Sequence, residues 1–175
     1  MALRPATPQE LEAVRAAQDE FRVYWESIRP LFPCAFEGTS IDIDALDYLD
    51  YEGLRYPSCG QAGASLVWGN VIATQMPFRW FFDEDLGGLV LRSQVRGLTV
   101  WPFGRVYESQ RSAETQFDKY RRLSEWVVLQ SLGLHLVGDE DRPRLLALLG
   151  DQNPGLAQFV EYAMGRLRAL REGPG

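Results

Sequence analysis

Cys59 and His135 are the residues whose types suggest nucleophilic chemistry. Cys59 falls near the start of an expected helix, where the dipole lowers a thiol pKa, and His135 is the only histidine available as its base. That pair would serve a Cys/His-dependent hydrolase. A single imidazole rules out multi-histidine metal sites, and Cys34 and Cys59 lack metal-ligand spacing. Asp83-Glu84-Asp85 and Asp139-Glu140-Asp141 offer carboxylates to a divalent cation or an acid–base pair. Adjacent residues on a turn rarely converge, however, and neither run alternates like a calcium loop, so both are expected as solvated turns. Gly60, Gly63 and Gly69 lie inside a helical stretch with no following lysine, unlike a phosphate loop. No catalytic residue, metal site or cofactor is assigned on these grounds.

A second kind of chemistry, recognition, is suggested by residues 39–53. With caps at Thr39 or Ser40 and Gly53 as terminator, the stretch reads as a helix whose apolar set is Ile43, Leu46 and Leu49. Helical spacing puts Asp44, Asp47, Tyr48 and Tyr51 on the other side, with Asp50 beside them. Tyrosine gives large contact area at low entropic cost, and carboxylates around it steer a basic protein partner. The competing reading is a solvated helix face.

Composition sharpens the choice. The chain has 175 residues and a formal net charge of -6, and Lys119 is the only lysine among its basic residues. An acidic balance disfavours nucleic acid and suits a basic protein. Hydrophobic content of 46% with 12% aromatic fits one globular domain over residues 1–175, and no apolar run approaches a membrane helix. The N-terminal residues carry no apolar signal region, so a cytoplasmic location is expected. The leading expectation is a non-catalytic cytoplasmic protein-binding module, most concretely a bacterial immunity or antitoxin-like inhibitor.

These residues must be positioned by an α+β fold. Thr7-Pro8-Gln9-Glu10 is a capping box for a helix to about Ile28, with Leu11, Val14, Ala17, Phe21, Tyr24 and Trp25 on one face. Residues 58–75 read as a buried helix lined with small residues and stopped by Pro77. Residues 78–83 and 89–95 form a hairpin through Gly87-Gly88, and Arg96-Gly97 returns the chain antiparallel into a strand over 98–103. The expectation is a three-stranded antiparallel sheet packed against helices from both the N- and C-terminal segments. Ser112 is read as the cap of a helix running to Leu132, followed by a short helix from Asp141 and a last one opened by Asn153-Pro154.

Trp68-Gly69 on the buried helix, Trp80 in the hairpin and Val100-Trp101-Pro102 at a strand end together resemble a family of small bacterial domains of unknown function, over about residues 64–106. In that family an acidic residue commonly follows the helical glycine and basic residues follow the proline strand, where this chain has Asn70 and Tyr107-Glu108. The resemblance implies a fold and no activity.

Overall fold

The structure, a computed structural model, describes residues 2–111, 118–138 and 140–172. Helix α1 spans Pro8–Ile28 and opens on the expected reciprocal box: the Glu10 amide donates to the Thr7 hydroxyl at 3.3 Å, and the Thr7 amide donates to the Glu10 carboxylate at 2.8 Å. The Arg4 guanidinium also donates to this carboxylate, at 2.5 and 2.8 Å, and chiefly through that contact holds Glu10 down at about 2. Val14, Ala17, Phe21 and Trp25 are the buried face.

Arg4 belongs to a strand that periodicity did not announce. β1 (Leu3–Pro5) pairs antiparallel with β2 (Phe78–Asp83), so the sheet has four strands rather than three, in the order β1-β2-β3-β4 with β3 at Gly88–Ser93 and β4 at Thr99–Val100. Three residues are too few to show a two-residue period, and a terminal proline is tolerated only because β1 is an edge strand. The other edge is shorter than expected. Only Thr99 and Val100 pair, and Pro102 begins helix α4 (Pro102–Arg111) instead of extending a strand. The missing N–H that ends a ladder also suits a first helical position. The expected helix start at Ser112 lies outside the described residues.

Helix α2 covers Ser40–Tyr51 and α3 covers Gly60–Gln75, which contacts α1, α2, α4, β2 and the last helix. So placed, α3 buries a wide face carrying Ala64, Val67, Trp68, Val71 and Ile72. This is where the small residues act. A Cβ on Gly69 would stand 2.5 Å from the Trp80 ring and 3.1 Å from Pro102, so glycine lets the sheet and α4 close onto the helix. The helices that meet the sheet are α3 and α4, its neighbours in sequence, while α1 and the last helix reach α3. Helix α5 (Lys119–Leu132), a single 3-10 turn at Leu134–Leu136, α6 (Arg142–Gln152) and α7 (Pro154–Glu172) complete the chain. Trp68 ties α3 to α5 by donating its indole N–H to the Ser124 hydroxyl at 2.9 Å.

Candidate functional site

Helix α2 begins with an aspartate turned inward. Asp42, 1% exposed, accepts the amides of Gly38 at 2.8 Å and Thr39 at 3.0 Å, fixing the turn before the helix. Burial pushes its carboxyl above the usual range. Ile43, Leu46 and Leu49 are fully buried, as their spacing requires.

The five residues expected to share a surface divide between two environments. Asp47 is buried, and its carboxylate accepts the backbone N–H of Tyr120 at 2.8 Å and of Arg121 at 3.2 Å. It therefore caps α5 from another helix, where Asp118 takes a left-handed conformation at φ 60° and makes no side-chain cap itself. Burial raises the Asp47 carboxyl to about 7 even though both amides favour the charge. Asp50 sits beside it, ion-paired to the Lys119 ammonium and accepting the Tyr56 hydroxyl. Tyr56 in turn lies 2.9 Å from the hydroxyl of fully buried Tyr120. Burial, with Asp50 close by, drives the Tyr56 hydroxyl well above its ordinary value. Asp47 and Asp50 thus belong to a closed polar network between α2 and α5.

Tyr48 and Tyr51 lie off that network, Tyr51 54% exposed and Tyr48 half-buried. Asp44 is exposed but engaged by the C-terminal helices: it accepts the Tyr162 hydroxyl at 2.6 Å and lies 4.0 Å from the Arg121 guanidinium of α5. Tyr48 is fixed by α1 and the turn after it: Trp25 meets its ring edge-on at 5.8 Å. The Arg29 guanidinium lies between two rings, 4.3 Å from Tyr48 and 5.3 Å from Phe32. Phe32 and its neighbour Leu31, 87% exposed, project from the Pro30–Pro33 turn. Neither was singled out in sequence, although two apolar residues bracketed by prolines cannot join a helical stripe, and that is a legible sign of an exposed turn.

Charge is concentrated in the same part of the chain. Residues 1–60 hold eleven acids and five arginines, a balance of -6, whereas residues 61–175 hold thirteen acids and thirteen bases. Exposed Glu26, Glu37 and Glu52 have no ion pair among the described residues and add to the negative balance of this part of the chain.

The other chemistry-bearing groups are placed as follows. Cys59 lies at the N-cap of α3, its amide donating to Glu20 at 3.0 Å, and burial followed by the Glu20 carboxylate pushes its thiol up to about 12. That is the wrong direction for a nucleophile. His135 is exposed on the 3-10 turn with Nδ1 2.9 Å from the Leu129 carbonyl. In the acidic turn, Asp83 is buried rather than solvated and accepts the amides of Asp85 at 2.9 Å and Leu86 at 3.1 Å, while Glu84 pairs with Arg4 at 3.6 Å. Asp139 lies outside the described residues. Among the described residues no group of three or more His, Cys, Asp or Glu is placed to hold a metal ion, and no helix is long and apolar enough to cross a membrane. Comparisons with family models, curated proteins and solved structures give no match to this chain.

Proposed function

We propose that the chain is a non-catalytic protein-binding module whose partner is basic, working in the cytoplasm, with an immunity or antitoxin-like inhibitor of bacterial origin as its most concrete form. The observation that carries the reading is the surface where Arg29 is held between Phe32 and Tyr48, flanked by exposed Leu31 and Tyr51. Aromatic residues and arginine dominate the energetics of protein interfaces, and here they are already ordered by contacts within the fold, which lowers the entropic cost of binding. The -6 balance of residues 1–60 supplies the steering field. Of the residues first grouped by helical spacing, Asp44, Tyr48 and Tyr51 are the ones a partner can reach. Asp47 and Asp50 support them from below by anchoring α2 to α5.

The test is differential capture from a bacterial lysate. Wild type and a Leu31→Ser, Tyr51→Ala variant serve as paired baits, compared after both are shown to be folded. A basic protein retained by wild type, lost from the variant and released by moderate salt is the expected result. Equal retention by the two baits would contradict it.

A further inference from the structure

We infer that the outer face of the sheet is a second, independent recognition surface, fitted to an acidic segment of another protein. In the β2–β3 register Arg79 stands directly opposite Arg92, and in the β3–β4 register Arg92 stands opposite Thr99. Arg79 and Arg92 are both exposed, and among the described residues neither has an ion pair. Like charges directly opposite each other on neighbouring strands are destabilising. In an acidic chain, no carboxylate among the described residues is ion-paired to either.

The next row of the same face is apolar and partly covered: half-buried Phe81 is paired with fully buried Val90, and the Arg92 guanidinium lies 6.0 Å from the Phe81 ring centre. Trp101, two residues beyond Thr99 and 39% exposed, reaches over β3: its indole Nε1 is 4.0 Å from where a Cβ on Gly88 would stand. Two guanidiniums beside an aromatic shelf match a carboxylate followed by an apolar side chain, since guanidinium and carboxylate form two parallel hydrogen bonds and the ring supplies contact area. Charge selects the occupant. The arginine pair is a discrete cationic spot in a part of the chain that is neutral overall, which suits one or two carboxylates and not a long polyanion.

Two measurements on the full chain test this. Arg79→Thr should raise the unfolding midpoint in the absence of any partner, because it removes the unopposed repulsion. A labelled peptide of alternating glutamate and leucine, about ten residues long, should bind wild type, measured by fluorescence anisotropy. Its affinity should fall by about tenfold or more in Arg79→Thr and again in the Arg92→Thr double variant. A matched lysine–leucine peptide should not bind. The inference is overturned if Arg79→Thr lowers the midpoint, or if the acidic peptide fails to bind or binds both variants as tightly as wild type. It is also overturned if an oligothymidine competes better than the peptide, or if the arginines prove to hold a second copy of this chain, seen as dimerisation that the Arg79→Thr variant loses.

Discussion

The two sides of helix α2 carry the same residue types and put them to opposite uses. On the inner side Asp47 and Asp50 meet backbone amides, a lysine and a tyrosine hydroxyl, and their charges are consumed by the fold. On the outer side Tyr48 and Tyr51 lie where a partner can meet them, with Phe32 and Leu31 near Tyr48, while Asp44 stands at the boundary, exposed yet paired with Arg121 and Tyr162. An acidic helix face is therefore not one surface. Which aspartates recognise and which support is decided by the neighbouring helix, here by the start of α5, whose first amides need an acceptor that its own Asp118 does not provide.

The comparison breaks most visibly if the inner carboxylates are removed. Asp50→Leu leaves the Lys119 ammonium buried without its counter-ion, and loss of one member of a buried pair costs about 3 kcal/mol, measured as the shift in urea unfolding. A cost below about 1 kcal/mol, typical of surface pairs, would mean that Asp50 belongs with the outer group.

pH sharpens the same contrast. The Asp47 carboxyl is raised from 3.8 to about 7, so the folded protein binds more protons than the unfolded chain between those values. The contribution of Asp47 to stability is thus fully present below about pH 4 and is lost as pH rises through about 7. Asp50, Asp118 and Lys119 are common to both members of a matched pair, so the informative quantity is the difference between wild type and Asp47→Asn. That difference should shift in favour of the variant as pH rises from 4 to 8. A flat difference would show that Asp47 is solvated.

Much of this was legible in the sequence, and the failures have a common cause. Where a signal is local it was read correctly: the Thr7–Glu10 box opens α1, Pro77 follows the end of α3, and Gly87-Gly88 marks the turn into β3. Strand β1 escaped because its partner is eighty residues away and its own three residues have no period. The inward turn of Asp47 escaped for a related reason. Helical spacing places it about 60° from Asp44, which is enough to change its environment completely, but only the position of α5 says so. Likewise, Cys59 at a helix start suggested a lowered thiol pKa, whereas burial against Glu20 raises it.

Smaller effects follow. Cys59 should react with iodoacetamide at neutral pH as slowly as Cys34, both thiols being pushed up to about 12 chiefly by burial, and His135→Ala should change neither rate. Rapid labelling of Cys59 that depends on His135 would favour the hydrolase instead. Leu31→Ser should shift the unfolding free energy by no more than about 0.5 kcal/mol, as expected for a residue that packs little of its surface inside.

The most direct measurement is urea unfolding of Asp47→Ala beside Tyr51→Ala, two truncations four residues apart on one helix. Asp47→Ala strands the amides of Tyr120 and Arg121 and is expected to cost about 2 kcal/mol, whereas Tyr51→Ala is expected to stay within about 0.5 kcal/mol of wild type. Equal costs for the two substitutions, or a larger one for Tyr51, would contradict the division of α2 into a supporting and a recognising side.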